Sequence, residues 1–530
     1  MTTKKNEYKA FDWSFIGHGS DQALNKKKGS VASAVLLFLF LFFILFFCYE
    51  LSAGWSNDLM ISPFQKSVFS STSKPLPSPP PPPQQLTIST TITSNLRQQH
   101  PLQCTTTNTN QLCTHKYPTN YTPTNPNPNP SPPSTCPDYF RWIHEDLRPW
   151  KETGVTRQMV EGARKTAHFR LVILDGRAYV EKYRESIQTR DEFTLWGILQ
   201  LLRRYPGRLP DLELMFDCDD RPVIPSKNFR RPPPLFKYCS DPWSLDIVFP
   251  DWSFWGWAEC NIKPWRNSSK DIQQGNERIK WKDRVPYAYW KGNPNVAPWR
   301  GAFLKCNVTN KVDWNVRIYT QNWEKQAKVG FRESNLKDQC THRYKIYIEG
   351  WAWSVSEKYI LGCDSMTLVV KPKYHDFFNR GMLPLVHYWP IRNNDQCKSL
   401  KFAVEWGNNH TDKAQAIGQA GSKYIHEDMK MEYVYDYIFH LLNEYAKLLR
   451  FKPAIPPGAV ELCSEAMACE AEGNWRKFME ESLEKSPTNE VPCSMPPPYD
   501  PLAFRSFIEN KANMTRQVEI WEDEYWKTKI

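Results

Sequence analysis

Residues 31–48 form an unbroken run of apolar and small side chains, and that run divides the rest of the chain into two sides. It is long enough to enter a bilayer as a helix. It is too long, and too far from Met1, for an ordinary cleaved signal peptide. Lys26, Lys27 and Lys28 precede it, and Glu50 and Asp58 follow. The positive-inside rule then makes 1–30 a cytosolic tail and 31–51 a transmembrane signal-anchor, with the remainder on the far side. A short span favours the Golgi or endoplasmic reticulum membrane over the plasma membrane. The sequence therefore predicts a single-pass type II membrane protein. The Asn-x-Ser/Thr acceptors at Asn120, Asn267, Asn307, Asn409 and Asn513 all lie beyond the run, as N-glycosylation requires. So do all of the 14 cysteines except Cys48, where an oxidising compartment permits disulfides.

Pro, Thr, Ser, Asn and Gln dominate 52–135, with prolines from Pro79 to Pro83 and Asn-Pro repeated between Asn125 and Pro130. Such a stretch cannot bury enough apolar surface to offset chain entropy, so it reads as a disordered stalk. Cys104 and Cys113 within it are expected to close a local loop. Order is expected from Cys136 onward, where 22 Trp, 24 Tyr and 28 Phe in the whole chain supply a large core. The formal charge is +11, but without a run of six like charges or a zinc-finger or RNP pattern. That argues against a nucleic-acid partner and fits a small anionic substrate.

Residues 168–174 read as a strand that Asp175-Gly176-Arg177 turns into a second strand around Tyr179. Thr189-Arg190-Asp191-Glu192 has the spacing of a capping box, followed by Phe193, Trp196, Leu199 and Leu202 at helical intervals. The apolar run 212–216 then delivers Asp217, Asp219 and Asp220 to a strand tip before Pro222. Ligands of open α/β sheets bind beyond the carboxyl ends of strands. Any of the three carboxylates is thus a candidate base, with a solvated acidic turn as the plain alternative. Trp252, Trp255 and Trp257 form either a stacking platform or core.

In the second half, a strand over 344–348 runs through Glu349-Gly350 and Trp351-Ala352-Trp353. A second capping-box pattern (Ser354-Val355-Ser356-Glu357), a helix to Leu361 and a strand at 367–370 follow. Strand, glycine turn, helix and strand in that order present backbone amides to a diphosphate. Cys340 and Cys363 bracket the unit as a candidate disulfide. Helices are expected over 412–427 and 432–450, and the tail carrying Cys463, Cys469 and Cys493 has no assigned role.

Five spaced motifs resemble the protein O-glucosyltransferase family, the Rumi-like and capsule-associated enzymes of glycosyltransferase family 90, most of all its plant members. They are Leu209-Pro210-Asp211 with Asp220-x-Pro222; Pro250-x-Trp252-Ser253-Phe254-Trp255; Trp290-Lys291-Gly292-Asn293; Cys340 through Cys363; and Val386-His387-Tyr388 before Pro390. The likeness runs over about 138–451. It implies an α/β, GT-B-like pair of Rossmann-type domains, 136–280 on the acceptor side and 281–451 on the nucleotide-sugar side, with 452–530 a cysteine-containing extension. It implies inverting transfer of glucose or xylose, from UDP-glucose or UDP-xylose, to a hydroxyl of a protein or glycan acceptor without a metal.

Among the three aspartates the resemblance selects Asp220 as general base. It assigns the donor to Asn293, Arg300 and the loop Trp351, Ala352, Trp353, Ser354, Val355 and Ser356, and places Trp252 and Trp255 toward the acceptor. Ser356 stands where animal members often carry arginine, with Lys358 a candidate substitute, and Lys263 replaces a donor-touching tyrosine. Two other readings stand beside this one. Asp217-Cys218-Asp219 could be a DxD metal site, or the head could be a glycan-binding, wall-associated protein without catalysis.

Overall fold

Phe169–Leu174 (β1) and Arg177–Lys182 (β2) form the expected hairpin, and its turn residues Asp175 and Gly176 both take positive φ, 49° and 72°. The computed structural model describes residues 99–104, 113, 117–121, 133–227 and 230–529. The wholly buried strand Leu212–Phe216 (β3) pairs antiparallel with β1. Two short strands, Phe236–Lys237 (β4) and Ile247–Val248 (β5), continue the sheet in parallel with β3.

The second sheet is parallel throughout. Val285–Gly292 (β6), Val316–Thr320 (β7), His342–Tyr347 (β8), Met366–Val370 (β9) and Trp389–Ile391 (β10) lie in the order β10-β9-β8-β6-β7. Counted from β6 this is the doubly wound order 2-1-3-4-5, whose winding reverses between β6 and β8. Mixed α/β with two sheets fits the expected Rossmann-like pair.

Helix Arg190–Arg204 (α1) packs so closely on Trp255 that the ring occupies the space a Cβ on Gly197 would need. Its Thr189 cap is not the predicted box. Glu259, distant in sequence, accepts the Thr189 N–H and hydroxyl at 2.9 and 3.1 Å, and Glu192 pairs with Lys182 instead. The second box also fails: helix Ser356–Leu361 (α2) has Val355 at its N-cap with no side-chain bond. Helix Met431–Leu448 (α3), read with the second half, places Tyr435, Ile438, Leu441 and Tyr445 in the core under the first sheet. Tyr445 donates to Glu213 O at 3.0 Å.

The tail is part of the fold. Val460–Leu462 (β11) pairs antiparallel with β2, which gives the first sheet the order β11-β2-β1-β3-β4-β5. Helix Pro501–Lys527 (α4) packs Phe504 and Phe507 against Trp142 of the first core and Trp521 against Trp389 and Trp406 of the second.

Cys104 and Cys113 do not close a local loop. They bond to Cys469 and Cys463, and Cys136 bonds to Cys493. The end of the predicted stalk is therefore fastened to the head, where His100 N–H also donates to Lys485 O at 2.7 Å. Cys340–Cys363 forms as expected, and Cys306–Cys397 is a further bridge. The segments expected to be a cytosolic tail (1–30) and a signal-anchor (31–51), and most of the expected stalk, lie outside the described residues. Among the described residues no helix is long and apolar enough to cross a membrane.

Candidate active site

The three aspartates past β3 separate by where the chain turns. Asp217 points inward and is 1 % exposed, with Lys237 Nζ at 2.8 Å, Arg184 Nη2 at 3.1 Å and His168 Nδ1 at 3.0 Å. Burial works to raise its carboxyl, but hydrogen bonding from His168 and the Lys237 charge more than reverse this and hold it at about 2. Asp219 sits on the rim and pairs with Arg184 at 2.9 Å. His168, Asp217 and Asp219 are close enough to share an ion, yet both Asp217 oxygens already face cationic or hydrogen-bonding nitrogens. That donor set suits a packed ion network better than a divalent cation.

Asp220 is half-buried at the mouth of the same edge. Arg190, from the first turn of α1, donates Nη1–H to Asp220 Oδ1 at 2.7 Å, and the Cys239 thiol donates to its backbone carbonyl at 3.1 Å. Among the described residues Oδ2 accepts no hydrogen bond. Trp252 lies 4.5 Å beneath the Arg190 guanidinium and supports it by a cation–π contact. Arg190 has no signal in the sequence that distinguishes it from an ordinary first-turn residue.

Trp252 and Trp255 are 2 % and 0 % exposed, so neither ring offers a face to an acceptor. Trp255 is committed to α1 and to Tyr435, to which its indole donates at 3.1 Å. The exposed tryptophan among the described residues is Trp243, at 70 %, in the turn after β4. The turn is stitched to the segment following Asp220 by Ser226 N–H to Trp243 O and Leu245 N–H to Ile224 O, both 2.7 Å. A lone tryptophan between polar residues has no periodicity to flag it.

On the second sheet the reversal between β6 and β8 brings together the segments that follow those two strands. Asn293, directly after β6, caps a short turn by accepting from Asn295 N–H at 2.9 Å. Arg300 is 7 % exposed and fans across both segments. Its Nε donates to Glu349 O at 2.8 Å, and Nη2 to Ile348 O at 2.9 Å and Ser354 Oγ at 3.1 Å. Among the described residues no carboxylate lies within ion-pair distance of it, and burial pulls it down to about 10. Glu349 spends its own Oε1 on Lys373 and Tyr374 N–H groups, and burial raises it to about 7. A buried guanidinium whose hydrogen bonds go to carbonyls and a hydroxyl, without a direct ion pair, leaves positive charge available at a switch point.

The loop itself is firmly placed. The Trp351 ring stacks on Trp299, Ala352 is fully buried, and Trp353 packs against Tyr238 and Trp252. Ser354 N–H donates to the Tyr347 hydroxyl at 3.1 Å, and the Ser354 and Ser356 hydroxyls meet at 2.9 Å. Arg221, the residue after Asp220, lies 3.8 Å over the Trp351 ring. This contact joins the two halves of the site. Lys358 does not replace the missing arginine, since its ammonium is buried and bonded to Asp251 and Ser253, both at 2.9 Å. Lys263 pairs with Asp271 at 2.8 Å.

The profile of the family described as Glycosyl transferase family 90 matches residues 131–522. The match includes most of the segment that reads as an extension. The chain is 28 % identical over 330 residues to Protein O-glucosyltransferase 1 of Bos taurus, covering 60 % of this chain and 81 % of that protein. It is 26 % identical over 325 residues to the O-glucosyltransferase rumi homolog of Aedes aegypti, covering 58 % and 78 %. Protein O-glucosyltransferase 1 of Homo sapiens is similar at 26 % over 330 residues, 60 % and 81 %. With a family profile that spans both sheets, the acidic strand tip and the buried arginine, the chain belongs to glycosyl transferase family 90.

Proposed function

We propose that the chain transfers glucose or xylose from UDP-glucose or UDP-xylose to a hydroxyl of a protein or glycan acceptor, with inversion and without a metal. The observation that carries this is the pairing of a carboxylate with one unengaged oxygen, Asp220, and a buried cation without a direct ion pair, Arg300. The Arg221–Trp351 contact bridges the two segments that hold them. Asp220 Oδ2 takes the acceptor hydroxyl's proton as the oxygen attacks the anomeric carbon, and UDP leaves from the opposite face. Arg190 keeps Oδ1 occupied and the carboxylate oriented. Arg300, with Asn293 and the loop 351–356, holds the departing diphosphate. The similarity to protein O-glucosyltransferases favours glucose and a protein acceptor. The five disulfides among the described residues support an oxidising, secretory compartment for the head.

Isothermal titration with UDP-glucose and UDP-xylose tests the donor half. Arg300→Met is expected to weaken UDP binding by about 10- to 100-fold, the scale of a charge-assisted hydrogen bond of roughly 1.5–3 kcal/mol. Unchanged UDP affinity would remove Arg300 from the donor site. Chelator treatment is expected to leave turnover intact. Activity lost to chelation and restored by a divalent cation would instead favour the Asp217-Cys218-Asp219 metal reading. Trp243→Ala is expected to raise the acceptor KM at unchanged donor affinity, because the exposed ring sits in a turn bonded to the segment that follows Asp220. Unaltered acceptor kinetics would exclude it.

A further inference from the structure

We infer that Asn307 carries an N-glycan whose first N-acetylglucosamine is seated in a cavity at the free edge of β7. The inference rests on the luminal placement proposed above and is independent of the catalytic assignment.

β7 is the outermost strand of the parallel sheet, and an outer edge presents unpaired backbone groups that need cover. Asn307 fills part of that role. Its Oδ1 accepts the Ile318 N–H at 2.9 Å and its Nδ2 donates to Ile318 O at 3.4 Å, so the amide stands in for a strand neighbour. Asn307-Val308-Thr309 opens an exposed turn in which Thr309 Oγ1 accepts Lys311 and Val312 N–H at 3.3 and 3.1 Å. The other acceptors differ. Asn120, Asn409 and Asn513 are exposed, and Asn267 donates to Glu481 at 3.0 Å.

A cavity of about 660 Å³ opens beside Asn307, lined by Tyr289, Tyr319, Gln321, Asn322 and Lys325 among others. Its volume suits a sugar residue. Gln321 is 6 % exposed, and its Nε2 is buried with no hydrogen-bond partner among the described residues. An orphaned amide donor of this kind is costly and points to an absent acceptor. The carbonyl of an N-acetyl group supplies one. The rings of Tyr289 and Tyr319 lie 5.4 Å apart, and half of Tyr319 is open, a face onto which pyranose C–H groups can pack.

Attachment uses a lipid diphosphate-linked oligosaccharide. Nδ2 bonds to C1 of the first sugar, the C1–O bond to the diphosphate breaks, and the Nδ2 proton leaves with the lipid diphosphate. The N–H that remains lies anti to Oδ1, so the glycosylated amide keeps its bond from Ile318 N–H and gives up the 3.4 Å bond to Ile318 O.

The full chain, expressed in a eukaryotic host and extracted in mild detergent, provides the test by site-resolved mass spectrometry and timed endoglycosidase digestion of the native protein. Asn307 is expected to be occupied, with its glycan released about tenfold more slowly than that on Asn513, the ratio one retained hydrogen bond of about 1.4 kcal/mol gives. Gln321→Met should abolish that protection. It should also lower the melting temperature only while the glycan is present, and not in a Thr309→Asp background that keeps the turn but loses the acceptor motif. Asn307 bare while Asn409 or Asn513 is occupied overturns the inference. So does an Asn307 glycan released as fast as that on Asn513 and indifferent to Gln321→Met. A Gln321→Met chain that loses UDP affinity with its glycan unaffected overturns it too, and gives the cavity to the donor. If every acceptor is bare, the luminal placement fails with it, while turnover and UDP binding still report on the catalytic proposal.

Discussion

Asp220→Asn should lose turnover by about 10²- to 10⁴-fold, the contribution of a positioned general base, while UDP-sugar affinity stays near that of the parent and the melting temperature falls, because the buried Arg190 loses its carboxylate partner. The substitution is nearly isosteric. The asparagine carbonyl can still accept from Arg190 Nη1, which lies 2.7 Å from Oδ1 in the parent, so the mouth of the site keeps its shape. What disappears is a charged oxygen able to receive a proton. Single-turnover transfer measures the chemical step, and calorimetry with UDP-glucose measures donor binding in the same preparation. Equal turnover would refute the assignment. A parallel fall in donor affinity would place Asp220 in donor binding instead. Slow UDP-sugar hydrolysis by the parent without acceptor, absent from Asp220→Asn, would also separate an enzyme from a glycan-binding protein of the same fold.

Much of this site is legible from local chemistry. The β1–β2 hairpin follows from a two-residue turn of Asp and Gly between two strand-forming runs, and the buried β3 from its mainly apolar residues. The 344–370 unit follows from strand, glycine, helix and strand spacing. The resemblance then selects Asp220, and the chain turn at Asp217 shows why the two aspartates differ. What stays hidden depends on partners far apart in sequence. Thr189 has capping spacing, but Glu259 reaches it first. Cys104 and Cys113 lie near each other, but each bonds to a cysteine more than 300 residues away. Trp252 and Trp255 are aromatic enough for a platform, but α1 and α3 close over them. Arg190 and Trp243 owe their roles to the juxtaposition of sheet edges and turns, which residue spacing alone does not encode.

Asp217→Asn is expected to act on the fold and not on the chemistry, with a loss of about 3–5 kcal/mol, the usual effect of removing one partner from a buried ion pair. Lys237 is 0 % exposed, and its Nζ lies 2.8 Å from Asp217 Oδ2. An asparagine there leaves an ammonium in the core with no full counter-charge. Urea or thermal unfolding should show a large drop in stability, whereas whatever remains folded should bind UDP-glucose with ordinary affinity. The parent should show the same interaction as acid sensitivity. A carboxyl held at about 2 against its ordinary value near 3.8 contributes about 2 kcal/mol that is fully present above pH 4 and fades as pH falls toward 2. Asp217→Asn should lack that component. If Asp217 were a metal ligand instead, the substitution would spare the fold and abolish a cation-dependent activity, so the stability curve alone discriminates between an aspartate that anchors the strand tip and one that serves the donor.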